Sequence, residues 1–216
     1  MRVTITASQG GDGTRSVLRA AYYVFLTAGI MALGYAGYCV LDRYWYQGVE
    51  TSKFETVSAP AEPRAIEPVP IEPVPIAEGG VIGEIEVPRL GMKAIVVQGD
   101  SEKLLRRAVG HLPETALPGE TGNIALAGHR DGLFRPLRNV QPGDTITLRT
   151  LEREFQYQVQ WTAIVPPTAV RVLEPTSEPT LTLITCFPFY YVGAAPERFI
   201  VRARKVSVAP SASSAP

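Results

Sequence analysis

One uncharged stretch near the N-terminus constrains this chain more than any other feature. Residues 20–41 read AAYYVFLTAGIMALGYAGYCVL and contain no charged side chain. A helix of about 20 apolar residues crosses the roughly 30 Å hydrocarbon core of a bilayer. The stretch is longer than the apolar region of a cleaved signal peptide, which typically has about 7–15 residues. It therefore predicts an uncleaved transmembrane anchor, with cleavage as the alternative left open.

The charges around residues 20–41 predict the orientation of the anchor. Three arginines precede it: Arg2, Arg15 and Arg19. Charges of both signs follow it. Because cytoplasmic flanks are enriched in Lys and Arg, residues 1–19 are expected in the cytoplasm. The rest of the chain would lie outside the cytoplasmic membrane. A lipid-modified Cys39 is disfavoured, since the bulky Tyr38 precedes it.

A proline-rich stretch separates the predicted anchor from the rest of the chain. Residues 59–78 contain the pentapeptide IEPVP twice, at 66–70 and 71–75. Repeated proline favours the extended polyproline II conformation, which acts as a semi-rigid spacer. We therefore expect residues 42–80 to form an extracytoplasmic stalk. A ligand for a proline-binding adaptor domain is the alternative.

Beyond the stalk, the pattern changes to short β-like runs broken by Gly and Pro. Two short helices are expected, one within SEKLLRRA at 101–108 and one at 133–138. Many short strands with few helices predict a mainly β domain over residues 81–206, either a barrel or a sandwich. The small, polar tail at 207–216 is expected to be disordered. Strands are predicted at 81–87, 93–98, 123–128, 144–150, 154–165, 169–173, 180–186 and 198–206.

Composition limits the chemistry available to this domain. The 21 Lys and Arg side chains balance the 21 Asp and Glu side chains, so no basic surplus supports nucleic-acid binding. The chain has only two cysteines and two histidines: Cys39, Cys186, His111 and His129. This inventory excludes a disulfide framework and a cysteine-rich zinc site. With no HExxH motif either, no metal or other cofactor is expected.

Two of these four residues occupy strand ends, where a barrel exposes reactive groups. Cys186 ends the predicted strand TLTLITC, and His129 follows the strand that ends in LAG. From position alone, a buried structural role is equally open for each of them. His111 lies in a loop rich in Pro and Gly, where packing or hydrogen bonding is the favoured role.

Arg198 is a third candidate for the site, because a thiol, an imidazole and a guanidinium can act together in catalysis. Arg198 opens the last predicted strand, and a hairpin that joins 180–186 to 198–206 would bring it beside Cys186. A thiol needs a base or a cationic neighbour to become a nucleophile. A histidine can protonate a leaving amine, and a guanidinium can stabilise an oxyanion. Spacing alone does not prove that the three side chains converge.

At this point the chain resembles a known family. Three motifs are similar to those of the sortases, most closely of class D, and GHLPETALPGETGN at 110–123 also resembles the family's approach to its histidine. The resemblance covers nearly all of residues 81–206, and the anchor and spacer suit the family's usual layout. The motifs are LAGHRDGLFRPLRNVQPGD at 126–144, TLTLITCFPFYYVG at 180–193 and APERFIVRAR at 195–204.

The resemblance implies an eight-stranded β-barrel and a cysteine transpeptidase. It assigns the nucleophile to Cys186, the histidine to His129 and the arginine to Arg198, and it places Thr185 along the substrate groove. In such enzymes the thiolate attacks an LPXTG-like sorting signal after Thr, and an amine resolves the thioacyl intermediate. The amine belongs to a peptidoglycan cross-bridge or a pilin lysine, and the reaction attaches proteins to the cell surface. The resemblance leaves a requirement for calcium open.

Other functions remain as alternatives. The chain lacks the Asp-Pro-aromatic lid motif of pilin-polymerising members, which disfavours that role. A non-catalytic β-domain on a stalk that binds wall components would make Cys186 and His129 core residues. An L,D-transpeptidase is disfavoured because Cys186 follows Ile-Thr, where that family has His-Gly. A metal hydrolase is weaker still, since no close pair of ligands is present.

Overall fold

The computed structural model describes residues 11–58, 76–190 and 193–206. Its first element is a long helix, α1 (Gly11–Ser58). The chain divides into two compact units, one up to Asp42 and one from Arg43 onward. Most of the predicted proline-rich spacer (59–75) and the predicted disordered tail (207–216) lie outside the described residues, and so do residues 1–10 of the expected cytoplasmic segment.

In the first unit, α1 carries the uncharged stretch 20–41. Its large apolar side chains are exposed, with Phe25 at 77% and Met31 and Leu33 at 75%. Among the described residues, α1 is the one helix long and apolar enough to cross a membrane. Exposed apolar side chains on every side of a helix are unfavourable in water and favourable in lipid.

The second unit is built on a closed barrel of eight strands, which confirms the predicted fold class. Around the barrel the strand order is β1-β2-β3-β4-β7-β8-β6-β5. The β2–β3 and β4–β7 pairs are parallel, and the other pairs are antiparallel. The strands are β1 (Val81–Val87), β2 (Met92–Gln98), β3 (Val109–His111), β4 (Asn123–Ala127), β5 (Thr145–Arg149), β6 (Glu154–Val165), β7 (Thr180–Phe187) and β8 (Glu197–Val206).

The barrel interior is filled by side chains that alternate along each strand. Ile146 and Leu148 of β5 are fully buried, as the period-two pattern predicts. Leu181 and Leu183 of β7 are fully buried as well. This alternation matters for the site, because it decides which face of β7 is available to a substrate.

Two expectations about elements were wrong, and each has a physical reason. Residues 169–173 were expected to be a strand, but Val170–Leu173 is a 3₁₀ turn. The prolines at 166 and 167 precede it and Pro175 follows it, so the segment has no room to pair along a neighbour. Strand β3 was missed because it has only three residues and contains Gly110. A side chain there would meet the carbonyl oxygen of Gly99 at 2.4 Å, so glycine is required for the close backbone approach.

The two short helices are also shorter than expected. Helix α2 (Glu102–Leu105) occupies only the first part of 101–108. The expected helix at 133–138 is a 3₁₀ turn, Arg135–Asn139, with a proline in its first turn. Both segments connect strands near one end of the barrel, where the candidate site lies.

Candidate active site

His129 is presented by a turn that begins where β4 ends. Strand β4 pairs with β7 up to Ala127 opposite Ile184. The amide of Gly128 then donates to the carbonyl of Ile184 at 3.2 Å, which carries the pairing one residue further. The carbonyl of His129 accepts from the amides of Gly132 (3.1 Å) and Phe134 (3.3 Å). The backbone therefore turns directly at His129, whose side chain is 31% exposed.

Gly128 allows this turn to pack against the barrel. A Cβ atom at Gly128 would lie 2.8 Å from the ring of Phe134, closer than real contacts allow. The Phe134 side chain is itself fully buried in the core. In LAGHRDGLF, Ala127 ends the strand and Gly128 leaves room for the ring of Phe134. His129 follows directly, in a turn that leaves it partly exposed.

Cys186 and Arg198 are directly opposite each other on neighbouring strands. Strands β7 and β8 are antiparallel, and their register pairs Cys186 with Arg198 and Ile184 with Ile200. Side chains opposite each other in a pair of strands project to the same face. The predicted hairpin neighbourhood is therefore confirmed. Cys186 forms no disulfide and is partly buried.

Arg198 is held in place by backbone carbonyls. Its Nη1 atom donates to the carbonyl oxygens of Glu197 (3.0 Å) and Ala195 (3.3 Å). Arginine has five N–H donors, so the guanidinium can also bind further partners. An arginine fixed in this way costs little entropy when it binds a carbonyl or an oxyanion.

A groove runs from Arg198 along the outside of the barrel. Its inner part is a cavity of about 210 Å³, lined by both apolar and charged residues. A second cavity of about 660 Å³ shares four lining residues with it, so the two cavities adjoin. Residues of the inner part include Ala127, Ile184, Arg198 and Ile200, and the shared ones are Asp100, Leu112, Val170 and Leu173.

Cys186 belongs to the face of β7 that lines this groove. Ile184 lines the groove, and successive side chains of a strand alternate between its faces. Cys186, two residues on, is therefore on the groove face. Ala127, the last residue of β4, also lines the groove, and His129 follows it in the turn. Cys186, Arg198 and the strand end that precedes His129 therefore border the same groove.

Thr185 is on the opposite face of β7 from Cys186. Its side chain is 2% exposed, and its hydroxyl donates to the carbonyl of Gly128 at 2.7 Å. The bond ties the strand of the thiol to the residue before His129. The structure therefore shows a supporting role for Thr185. The direct contact with substrate that the resemblance implies stays a prediction.

His111 is a structural residue, as the sequence favoured. It is 1% exposed, with Nδ1 2.9 Å from Oε1 of Gln98 and Nε2 2.9 Å from the carbonyl oxygen of Ala116. Removal from solvent lowers its pKa, although the bond to Ala116 works in the opposite direction. Both ring nitrogen atoms are engaged, and no face is open to a substrate.

Sequence reasoning missed several residues that border the site. Oε1 of Glu102, on α2, lies 3.7 Å from Nε2 of His129. Arg130 donates to the carbonyl of Gly193 at 2.9 Å, and Arg138 donates to the hydroxyl of Tyr190 at 2.6 Å. The two arginines connect the segment after β4 to the loop after Cys186. Contacts between loops so far apart in sequence leave no periodic signal.

The absence of a metal stays a prediction. Among residues 11–58, 76–190 and 193–206, no group of three or more His, Cys, Asp or Glu side chains is arranged to hold a metal ion.

The comparisons with known proteins agree on one family. Residues 85–206 match the model of the Sortase domain. The chain is 31% identical to Sortase D of Bacillus subtilis over 191 residues, which covers 84% of this chain and 96% of that protein. It is 32% identical to Sortase A of Listeria monocytogenes, over 63% of this chain and 61% of that protein.

Solved structures agree with these sequence comparisons. A Sortase D5 transpeptidase of Clostridium perfringens matches with a TM-score of 0.56 and 31% identity, over 61% of this chain and 82% of that one. Sortase A of Corynebacterium diphtheriae matches with a TM-score of 0.58 and 32% identity, over 62% and 65%. The chain therefore belongs to the sortase family of cysteine transpeptidases and is similar to its class D members.

Proposed function

We propose that this sortase is a membrane-anchored enzyme that cleaves an LPXTG-like sorting signal after Thr and joins the acyl group to an amine. The register that pairs Cys186 with Arg198 beside a groove is the observation that carries the proposal. The same groove is bordered by Ala127, two residues before His129. No other cysteine in the sequence follows residue 39 except Cys186.

In the first half-reaction the thiolate of Cys186 attacks the carbonyl carbon of the threonine. A C–S bond forms and the carbonyl oxygen becomes an oxyanion, which the guanidinium of Arg198 stabilises. The C–N bond then breaks, and His129 in its protonated form donates the proton that the leaving amine needs. The products are a thioacyl enzyme and the C-terminal fragment with a free amine.

In the second half-reaction an acceptor amine attacks the thioacyl carbon. Its nitrogen atom forms the new amide bond, His129 takes up the proton that the nitrogen loses, and the C–S bond breaks to return the thiolate. A peptidoglycan cross-bridge amine or a pilin lysine has the required chemistry. Residues other than Cys186, His129 and Arg198 would determine which amine is the acceptor and which proteins are substrates.

The groove suits a peptide with apolar residues ahead of the scissile bond. Its inner part is lined by Leu112, Ile184 and Ile200, which match the Leu-Pro part of such a signal. The peptide's threonine carbonyl would then reach the end of the groove at Arg198. This arrangement assigns substrate recognition to the barrel's outer face, with Thr185 as a support behind it.

We propose the topology on the basis of charge and hydropathy. The arginines before residue 20 favour a cytoplasmic N-terminal segment (1–19), with an anchor at 20–41 and the barrel (81–206) outside the cytoplasmic membrane. Residues 42–80 would connect the two. An extracytoplasmic location is also where a sorting signal on a secreted protein and a wall amine would meet.

The decisive experiment measures peptide cleavage by the full chain in detergent micelles. Quenched peptides that contain LPETG or LPETA are incubated with and without triglycine as the amine. We expect cleavage by the wild type, an amide product with triglycine, and no turnover by Cys186→Ala. Cys39→Ala is the matched control and should retain full activity. Equal activity in Cys186→Ala would refute the cysteine transpeptidase, and no cleavage by the wild type would favour a binding domain.

Arg198 gives a second, finer test. Because its proposed partner is an oxyanion that exists only in the transition state, Arg198→Ala should lower kcat about 100-fold or more with little change in KM. Arg204→Ala, at an exposed position of the same strand, is the control. A pure rise in KM would contradict the oxyanion role and indicate ground-state binding instead.

A further inference from the structure

The last part of α1 is packed against the barrel. Phe54 is 3% exposed and forms a buried cluster with Ile95, Val97 and Ala108. Leu104 of α2 packs against the same cluster. Residues 43–58, expected to be the start of a stalk, are therefore attached to the catalytic domain; we call them the docking segment.

Gln47 joins the docking segment to two strands at the point where their pairing ends. The β2–β3 ladder begins with Val96 opposite Val109. Just before it, the amide of Ile95 donates to Oε1 of Gln47 at 2.9 Å, and Nε2 of Gln47 donates to the carbonyl of Arg107 at 2.6 Å. A glutamine amide carries a donor and an acceptor, as a peptide group does. Gln47 thus replaces the missing step of the ladder.

An ion pair between Lys93 and Glu55 connects the end of the docking segment to the barrel. Nζ of Lys93, on β2, lies 3.2 Å from Oε1 of Glu55 and 3.2 Å from Oε2 of the buried Glu84. Partial burial lowers the pKa of Lys93, but the bonds to Glu55 and Glu84 outweigh it and raise the pKa overall. The lysine therefore stays charged and links the segment to β1 and β2.

The beginning of the docking segment reaches the turn that presents His129. Nη1 of Arg43 lies 3.4 Å from the point where a Cβ atom of Gly132 would be, and Cβ of His129 lies at the same distance from that point. Both distances are those of ordinary van der Waals contact, so Arg43 lies beside the turn. The segment thus reaches the His129 turn near its first residue and the cluster that supports α2 near its last turn.

We propose that the docking segment positions His129 for the transpeptidase reaction by two routes. Arg43 packs against the turn itself. Phe54 supports Leu104, and so holds α2 in the place from which Glu102 reaches to 3.7 Å from Nε2 of His129. The inference rests on the proposed function of His129. It makes Gln47 and Phe54 positioning residues, because both hold the docking segment against the barrel and act on His129 only through that segment and α2.

Kinetics on the full chain in detergent micelles test whether His129 depends on attachment of the docking segment, which Phe54 and Gln47 both secure. Phe54→Ala and Gln47→Met should each lower kcat for peptide cleavage about 10-fold or more, because a small displacement of a catalytic group is costly. KM should change less than about twofold, because the groove is formed by other elements. Phe54→Leu should recover most of the lost kcat. Lys53→Ala, whose side chain is 64% exposed on the same segment, should match the wild type.

Activities are to be expressed per folded molecule, with the folded fraction taken from thermal unfolding. Unchanged kcat per folded molecule in both Phe54→Ala and Gln47→Met would overturn the proposal, and so would an equal loss in Lys53→Ala. Phe54→Leu keeps the test valid if Phe54→Ala does not fold, because a graded loss of kcat is still expected.

A second readout separates this inference from the proposed function. In a Cys39→Ala background, the rate at which iodoacetamide alkylates Cys186 is measured for the wild type, His129→Ala and Phe54→Ala. Phe54→Ala should move the rate in the same direction as His129→Ala, whether or not any peptide is cleaved. No effect of Phe54→Ala, where His129→Ala has one, overturns the positioning role. If only the proposed transpeptidase function is wrong, Phe54→Ala and His129→Ala should still change the alkylation rate of Cys186 in the same direction.

Discussion

The two histidines of this protein belong to neighbouring segments of the chain, one in β3 and one just after β4, and they have opposite surroundings. His111 ends β3 and pairs with Leu126 in the interior of β4. It is 1% exposed, and both of its ring nitrogen atoms have partners in the fold. His129 follows the end of β4, where the chain turns, and its side chain is 31% exposed. The difference arises from position along the strands, since the residue type is the same.

The comparison of His111 with His129 distinguishes a structural from a catalytic role of the imidazole side chain. A ring enclosed on all sides fixes its own loop and cannot meet a substrate. A ring at a strand end keeps an open face, and its orientation must then come from neighbours such as Glu102 and the turn at Gly132. The predictions below test this division between support and chemistry.

The largest expected effect is the loss of catalysis on removal of the exposed histidine. His129→Ala should lower kcat for cleavage of the LPETG peptide about 100- to 10,000-fold, the usual contribution of a general acid. The unfolding temperature should be almost unchanged, because the side chain is exposed. His111→Gln should do the reverse, with kcat per folded molecule preserved and the unfolding temperature lowered. If both variants changed kcat and the unfolding temperature in the same way, the distinction between a catalytic His129 and a structural His111 would be wrong.

A smaller effect is expected at the bond that connects the thiol strand to the His129 turn. Thr185→Val keeps the shape of the side chain but leaves the buried carbonyl of Gly128 without this donor. We expect a loss of about 1–3 kcal/mol in the free energy of unfolding and a drop of about 10-fold in kcat.

Thr182→Val is the matched control on the same strand. Its hydroxyl is also buried, and it donates to Oδ1 of Asn123 at 2.5 Å, several residues from the site. This variant should lose similar stability in denaturant titrations and keep its kcat. If both variants lose kcat equally, the bond of Thr185 has no special link to the turn.

The smallest effect is a pH dependence of stability that belongs to His111. Burial lowers its pKa from the ordinary 6.5, so the unfolded chain binds a proton more readily than the folded one. The free energy of unfolding should therefore decrease as the pH falls below about 6.5, and this contribution should level off below the folded-state pKa. Urea titrations between pH 5 and 8 measure it. His111→Gln should remove this part of the slope, whereas His129→Ala should leave it; a slope unchanged in His111→Gln would contradict the assignment.

Much of the fold could be predicted from local sequence. Strands such as β1, β5 and β6 follow from period-two alternation and from the turn residues that bound them. The segment at 170–173 has apolar residues without a neighbouring strand, so its pattern was misleading. Strand β3 is too short to show a period, and only its pairing with β2 and β4 makes it a strand.

The candidate site was predictable where motif and strand end coincide. Cys186, His129 and Arg198 could be named from the sequence, and the pairing of Cys186 with Arg198 followed from a hairpin. Glu102 and the docking segment could not be found, because their relation to His129 depends on contacts between segments distant in sequence. A stalk was expected at residue 43, where the structure has a helix packed on the barrel.

By itself, the sequence determined an apolar helix, a β domain and a short inventory of reactive residues. These follow from hydropathy, from the period of two and from composition, all of which are local properties of the chain. The tertiary structure alone decided which histidine is enclosed and which is open, that the hydroxyl of Thr185 donates to the carbonyl of Gly128, and that Gln47 completes a ladder. Such features depend on which strands become neighbours, and closure of the barrel settles that choice through burial of the whole core.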